Sequence, residues 1–268
     1  MRLYVIAVYL FLYIPIGIIA LFSFNAGRHA AQFTGFSVQW YGKALSNPFV
    51  VDALKTSFTV ALASAVLATL CGTLAAVALQ GIRGRMRLVY DALIYMAVMV
   101  PGIVIGIATL IALVTVFDAL NPLLAAIFGG EAPPQLGLGK GSLIAAHGLF
   151  TMALVIVIVR TRLQGMDRTL LEAAADLGAP PMRSFVQITL PQIAPAVLAG
   201  FLLAFTFSFD DFIVAFFVAG SETTLPIYVF SSIRRGVTPE INAIGTMVMA
   251  ASLLLLITAQ LILRPRKR

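Results

Sequence analysis

Long apolar runs separated by short polar stretches dominate this chain. Six of the runs have the ~20 residues that an α-helix needs to cross a bilayer. They are Tyr4–Phe24, Thr56–Gln80, Tyr90–Phe117, Ser142–Leu163, Gln192–Ala219 and Ile241–Leu263. The first run is longer than the apolar core of a signal peptide, which has ~7–15 residues, and no small-residue cleavage site follows it. The pattern therefore predicts an all-α integral membrane protein with six transmembrane helices, the first of them retained.

Composition agrees with this pattern and limits what else the chain can contain. Hydrophobic residues make up 60% of the sequence and charged residues 11%, whereas about a quarter of the residues are charged in soluble domains. Six spans within 268 residues leave no room for a sizeable soluble domain. We therefore expect one transmembrane domain over residues 1–268.

The basic residues fall mainly on one side of the predicted membrane. Twelve of the eighteen do so, namely Arg2, Arg83, Arg85, Arg87, Arg160, Arg162, Arg168, Arg183, Arg264, Arg266, Lys267 and Arg268. Loops that carry an excess of Lys and Arg stay in the cytoplasm. Both termini and the loop between the fourth and fifth spans are therefore predicted to be cytoplasmic. The formal charge of +7 is thus an orientation signal, and no nucleic-acid partner is expected.

Residues with metal or nucleophilic chemistry are few. Cys71 lies inside the second apolar run, and His29 and His147 are isolated in the sequence, so we expect no metal site and no cofactor. His147 is interpreted as a hydrogen-bonded packing residue. A glycine-rich stretch contains Lys140, but a phosphate loop needs Ser or Thr after the lysine and Gly141 follows here. Any ATP hydrolysis is therefore expected in a partner chain.

A short helix is predicted within the cytoplasmic loop, which covers about 164–191. Thr169 followed by Glu172 fits a capping box, Gly178 can adopt the left-handed conformation after a helix, and Pro180 with its neighbouring proline prevents continuation. One face of this helix is apolar, with Leu170, Leu171, Ala174 and Leu177 at helical spacing. A helix of about two turns is marginal alone in water. We expect it to pack on its own chain or in a groove of another protein.

Two adjacent carboxylates interrupt the fifth apolar run. Asp210 lies about 18 residues after Gln192, or roughly 27 Å along a helix, which places it and Asp211 in the outer half of the membrane. Insertion of such a side chain at mid-bilayer costs ~2.5–3.5 kcal/mol, so these residues usually face a wet cavity or a helix interior. Two interpretations stay open: they line a pathway or gate for a cation, or they hold helices and partner proteins together.

The loop carries a set of residues at a characteristic spacing: Glu172, Ala173, Ala174, Gly178, Ile188, Leu190 and Pro191. Their resemblance is to the EAA motif of the membrane subunits of ABC importers. It implies a type I ABC importer permease (MetI-like) fold, in which these residues form a coupling segment that contacts an ATP-hydrolysing subunit. It also implies two ABC ATPase subunits, a second permease subunit or copy, and a periplasmic or lipid-anchored solute-binding protein as partners.

A second group of motifs is similar to the spermidine/putrescine permeases, in particular to their second, shorter permease subunit. These motifs are Ser208–Phe212, Thr224–Pro226 and Gly236–Ala243, where Thr238 and Pro239 also suit the start of the sixth span. The resemblance implies transport of a polyamine across the bacterial inner membrane.

One position departs from that family. Polyamine permeases typically carry an acidic residue after the proline of the third span, and here Gly102 follows Pro101, a pair that predicts a kink. Importers of opines or other amines, thiamine or ferric iron therefore stay open as alternatives. An ion-coupled secondary transporter is a further alternative, although the sequence shows no internal repeat.

Overall fold

The computed structural model describes residues 2–27, 32–129, 133–167 and 169–263, and it is built of helices joined by short loops. Contacts divide the chain into two compact units, residues 1–56 with 223–268 and residues 57–222. The single transmembrane domain stays a prediction. Six residues used in the sequence analysis lie outside the described residues: His29, Arg168, Arg264, Arg266, Lys267 and Arg268.

The helices follow one another with few residues between them. In chain order they are α1 (Arg2–Ser23), α2 (Gln39–Ser46), α3 (Pro48–Ala78), α4 (Arg85–Met99), α5 (Gly102–Phe128), α6 (Lys140–Gln164), α7 (Thr169–Asp176), α8 (Pro181–Ser184), α9 (Leu190–Asp210), α10 (Ile213–Val218), α11 (Leu225–Ile233) and α12 (Pro239–Leu263). A π-helical turn, Phe185–Thr189, joins α8 to α9.

Five helical segments of the described chain are long and apolar enough to cross a membrane. They are Tyr4–Ser23 of α1, the helices α3, α5 and α6, and the continuous run Pro181–Asp210 from α8 to α9. The helix α12 is apolar as well, over Pro239–Leu254. This architecture confirms the all-α integral membrane fold.

The third predicted span, Tyr90–Phe117, is wrong as a single kinked helix. The helix α4 ends at Met99, Val100 is extended (φ −65°, ψ 133°), and α5 begins directly after Pro101. A residue before proline is disfavoured in the α conformation, whereas proline is well tolerated at a helix start. Pro101 therefore separates two helices, and the later one, α5, is the candidate span.

The predicted start of the fifth span, at Gln192, is also too late, because the helical run begins at Pro181. The N–H of Leu190 donates to the carbonyl of Phe185, which widens the helix by one residue at that turn. Proline has no N–H to donate, and its ring crowds the carbonyl four residues earlier in a regular helix. The π turn before Pro191 lets the chain stay helical through this position.

The helices α3, α6 and α9 pack closely in the second unit. Their buried core residues are Ala65, Ala68, Ala76, Val155, Ile156, Val159, Leu163, Ile193 and Ala204. A Cβ atom added at Gly72 would lie 3.0 Å from the side chain of Val155, and one added at Gly200 would lie 3.3 Å from it. Small residues of this kind allow membrane helices to approach each other. The three helices therefore form the closely packed core of the second unit.

In the first unit, α1 packs against α12, and the loop after α1 is fixed by Asn25. The indole Nε1–H of Trp40 in α2 donates to the carbonyl of Asn25 at 2.7 Å. The helix α12 begins at Pro239, and the carbonyl of Thr238 accepts the N–H of Ile241 at 3.1 Å. The predicted start of the sixth span at Thr238 and Pro239 is confirmed.

Candidate functional site

The helix α7 carries three of the seven residues that resemble the EAA motif, Glu172, Ala173 and Ala174, and its N-terminus is capped by Asp167. The N–H of Thr169 donates to Oδ1 of Asp167 at 2.9 Å, and this hydrogen bond lowers the pKa of the exposed Asp167 carboxyl. The predicted capping box is wrong, because Thr169 is the first residue of the helix rather than its cap. An Asp two residues earlier reaches the same N–H through a short side chain.

Gly178 follows the C-terminus of α7 and has the predicted left-handed conformation, with φ +72°. The N–H of Ala179 donates to the carbonyl of Ala174, and the N–H of Gly178 donates to that of Ala175, each at 2.9 Å. This pair of hydrogen bonds is a Schellman motif. No atom lies within 4 Å of a Cβ placed at Gly178, so the requirement for glycine there comes from the backbone alone.

The surface of α7 is divided between its own chain and the exterior. Leu171, Glu172 and Ala175 line a cavity of about 540 Å³ together with the ends of α3 and α6. Leu170 is 53% exposed and Leu177, just after the helix, is 87% exposed. The predicted apolar face is thus only partly packed against the chain, and two leucines remain on the surface. Ala173 is also exposed, and Ala174 is half-buried.

The remaining residues of the motif lie in the helical run that follows. Ile188 is half-buried within the π turn, while Leu190 and Pro191 form the exposed first turn of α9. The helix α7 contacts the π turn. The guanidinium Nε–H of Arg162, near the end of α6, donates to the carbonyl of Gln192 at 3.0 Å. The segment from α7 to Pro191 is therefore joined to α9, and α9 is hydrogen-bonded to α6 just after that segment.

Asp210 and Asp211 lie where α9 ends. The predicted continuous helix over Gln192–Ala219 is therefore wrong at this point. Asp210 is the last residue of α9, and Asp211 is extended (φ −72°, ψ 121°). The Oδ2 atom of Asp211 accepts the N–H of Ala215 at 2.9 Å, so its carboxylate binds the first turn of α10. The free N–H groups of that turn favour such a carboxylate. Asp210 is exposed, whereas the side chain of Asp211 is 17% exposed.

A buried polar cluster lies beside this break, and no pattern in the sequence predicts it. The Nδ1 atom of His147 in α6 lies 2.7 Å from Oγ of Ser208 in α9. That hydroxyl is 2.8 Å from Oγ of Ser64 in α3. The Nε2 atom of His147 lies 3.5 Å from Oδ2 of Asp211. His147 is hydrogen-bonded as predicted, and its partner Ser208 is 61 residues away. Ser208 and Ser64 are 144 residues apart, so no local pattern links the three residues.

An ion pair joins α4 to α6 elsewhere in the second unit. Both terminal nitrogens of the Arg160 guanidinium donate to the Asp91 carboxylate, Nη2 to Oδ2 at 3.0 Å. The Nε atom of Arg87 lies 3.9 Å from the same carboxylate. Bidentate pairs of this type fix the orientation of both side chains. They hold α4 on α6 although Pro101 separates α4 from α5.

The described chain combines apolar helices long enough to cross a membrane with a capped helix between two of them and carboxylates at the end of one. Ionisable groups in such a position are typical of membrane transport proteins. The chain belongs to the family described as "Binding-protein-dependent transport system inner membrane component", which matches residues 68–268. It is therefore a multi-pass inner-membrane permease and a transporter subunit rather than an enzyme.

Curated relatives and solved structures agree with this family. The chain is 38% identical over 263 residues to the spermidine/putrescine transport system permease protein PotC of Escherichia coli (strain K12), covering 98% of this chain and 93% of PotC. It is 38% identical over 244 residues to the putrescine transport system permease protein PotI of that strain, covering 90% of this chain and 82% of PotI. A crystal structure of a bacterial ABC transporter involved in the import of the acidic polysaccharide alginate matches with a TM-score of 0.76 at 16% identity, covering 100% of this chain and 95% of that chain. That likeness shows the shared permease fold.

Proposed function

We propose that this chain is the membrane permease subunit of an ABC importer that carries a polyamine, putrescine or spermidine, across the inner membrane. The observation that supports it most strongly is the similarity to PotC over 98% of the chain. PotI, a permease named for putrescine alone, is equally similar over 90% of the chain. Its partners are ABC ATPase subunits, a second permease subunit and a solute-binding protein on the outer side.

The segment from α7 to Pro191 is proposed to couple ATP hydrolysis in the partner to movement of the spans. Two features support this: the Schellman motif at Gly178 fixes the end of α7, and Leu170 and Leu177 are exposed. A fully buried leucine contributes roughly 1.5–3 kcal/mol, so two leucines in a partner's groove make a sizeable contact. The helix α7 contacts the π turn, which continues into α9. A movement of the partner's groove would therefore reach α9 through α7 and the π turn.

Asp210 and Asp211 are proposed to lie on the pathway of the cation. A carboxylate in a wet cavity within the membrane replaces part of the hydration of a cation and repels an anion. The helix break supports this role, because it leaves Asp210 exposed at the end of α9 and Asp211 at the start of α10. Alternating access then requires rocking of the permease halves around the site.

Both termini and the α7 segment are proposed to face the cytoplasm. The support is the position of the basic residues along the sequence, which the positive-inside rule assigns to that side. Cysteine labelling with a membrane-impermeant reagent tests the orientation: a cysteine in place of Ser184 should be labelled only after the cells are opened. Labelling of intact cells would reverse the orientation.

Uptake of labelled putrescine and spermidine, by cells with and without this chain, tests the substrate. We expect uptake to depend on the chain and to be competed by polyamines but not by thiamine, ferric iron or amino acids. If polyamine uptake is unchanged by loss of the chain, the polyamine assignment is wrong, while the assignment as an ABC importer permease stands. Copurification of an ATPase with the chain separates the importer from an ion-coupled carrier, which needs no such partner.

A further inference from the structure

The buried hydroxyls beside His147 are compatible with a proton on Nδ1 of its ring. The Oγ of Ser64 lies 3.2 Å from the carbonyl of Ala61. A hydroxyl has a single proton to donate. When Ser64 donates it to Ala61, Ser208 donates to Ser64, and Nδ1–H of His147 donates to Ser208. In that tautomer of the neutral ring, Nε2 is an unprotonated acceptor.

This acceptor faces a second one. The side chain of His147 is 1% exposed, and Nε2 has no hydrogen-bond partner among the described residues. The nearest charged atom is Oδ2 of Asp211 at 3.5 Å, which itself accepts the N–H of Ala215. Two acceptors at this distance have no proton to share, and a buried polar atom without a partner is costly. The arrangement suits a cationic donor that satisfies both atoms together.

We propose that neutral His147 carries its proton on Nδ1, and that its Nε2 and the Asp211 carboxylate together bind one primary ammonium group of the transported cation. This inference rests on the proposed function, the import of a polyamine. An ammonium group has three N–H donors, so one can bind the carboxylate while another binds Nε2. Exposure falls from Asp210, which is exposed, to Asp211 at 17% and His147 at 1%, so the cation meets Asp210 first.

Two substitutions of His147 separate ammonium binding from packing. The amide of asparagine reaches the position of Nδ1 and keeps the contact with Ser208, but it leaves nothing at Nε2. The longer glutamine places its amide oxygen near Nε2. In proteoliposomes that contain the complete transporter and its binding protein, His147→Asn should lower putrescine uptake about tenfold or more, as expected for one hydrogen bond to a charged group. His147→Gln should stay within about threefold of the wild type.

The opposite order would overturn the proposal. If His147 only packs against Ser208, the asparagine variant keeps the contact that matters and the glutamine variant loses it. Copurification of the partner subunits measures assembly in each variant. The Asp211→Asn substitution completes a double-mutant cycle with His147→Asn: binding of the same ammonium group predicts that the double variant is little worse than the Asp211 variant alone. Multiplied losses would instead mean independent roles.

A spectroscopic measurement covers the case in which the His147 variants fail to assemble. The chain contains two histidines, so ¹⁵N-histidine labelling of this subunit, combined with unlabelled partners, gives two imidazole rings, and His29→Gln assigns them. We expect an unprotonated Nε2 signal from His147 that shifts when putrescine is added and does not shift with tetramethylammonium, which has no N–H. A protonated Nε2 at neutral pH, or a signal unaffected by putrescine, would overturn the proposal.

Wild-type uptake distinguishes this failure from failure of the proposed function. If the wild-type transporter does not carry putrescine or spermidine, the substrate assignment is wrong and the ammonium site falls with it. If it carries them while the asparagine variant matches the wild type, only the ammonium site is wrong.

Discussion

The α7 segment and the α9–α10 break present their functional residues in opposite ways. The helix α7 is short and capped at both ends by its own neighbours in sequence, and one leucine within it and one just after it are exposed. The break at Asp211 is surrounded by side chains from α3, α6 and α9 that are distant in sequence. One region leaves apolar side chains exposed, and the other holds a polar cluster buried between packed helices. Changes to the first should therefore act through coupling, and changes to the second through the cation.

The largest effect is expected at Gly178. Proline there cannot adopt φ +72° and removes the N–H that donates to Ala175, so the Schellman motif is lost. We expect Gly178→Pro to reduce uptake to background while the amount of chain in the membrane is unchanged, because the residue lies outside the spans.

Gly178→Asn is the matched control for this change. Asparagine tolerates the left-handed conformation better than other residues with a side chain, and open space surrounds the position. It should retain most of the uptake. Uptake in the proline variant near the wild-type level would contradict the coupling role of α7.

Asp210 and Asp211 should give the next largest effect. We expect replacement of either by Asn to lower uptake of a cation by about tenfold to a hundredfold, since one charge–ammonium contact contributes about 1.5–3 kcal/mol. Copurification with the partner subunits should change much less. Asp118→Asn in the exposed part of α5 is the control. A loss of assembly equal to the loss of uptake would favour a role in holding helices together.

The ion pair between α4 and α6 lies in neither of these two regions. Its loss should lower stability without acting on coupling or on the cation. Asp91→Asn leaves the guanidinium of Arg160, which is 15% exposed, without its carboxylate partner. We expect a loss of about 1.5–3 kcal/mol in stability, measured as earlier thermal unfolding in detergent. The double variant Asp91→Asn, Arg160→Gln should recover part of this loss. A double variant less stable than Asp91→Asn would contradict that expectation.

The smallest effect is a pH dependence at the N-terminus of α7. The pKa of Asp167 is lowered by the hydrogen bond from Thr169, so the unfolded state takes up a proton first as the pH falls. The cap therefore stabilises α7 above the pKa of the unfolded state, and this contribution is lost as the pH falls through the lower, folded pKa. Hydrogen exchange of the α7 amides should accelerate in that acid range.

In Asp167→Asn the cap persists without a titrating carboxyl, so we expect the extra acceleration of exchange at low pH to disappear. The same acid-dependent acceleration in that variant would exclude Asp167 as its source.

The sequence predicts the α7 region well because its structure depends on neighbouring residues. Gly178, Pro180 and the start of α12 at Pro239 follow from backbone rules that act over a few positions. Hydropathy likewise predicts which segments are apolar, but it does not show where they break. Pro101 and Asp211 both divide apolar runs, and an average over ~19 residues passes over such points.

The polar cluster could not be predicted for a different reason. His147, Ser208 and Ser64 each occupy an ordinary position in an apolar helix, and their contact depends on how α3, α6 and α9 pack together. Serine and histidine in a span are compatible with many pairings. Only the packed structure shows that Nδ1 of His147 is satisfied by Ser208 and that Nε2 faces Asp211.

The π turn at Phe185–Thr189 has a consequence for the length of the chain. Such a turn is equivalent to one residue inserted into an α-helix, and each residue of an α-helix turns it by about 100°. Because the wide turn takes up that extra residue, deleting one residue from it would restore regular helix and leave the faces of α9, with Asp210 at its far end, nearly unchanged. The same deletion within α9 itself would rotate Asp210 by about 100° about the helix axis.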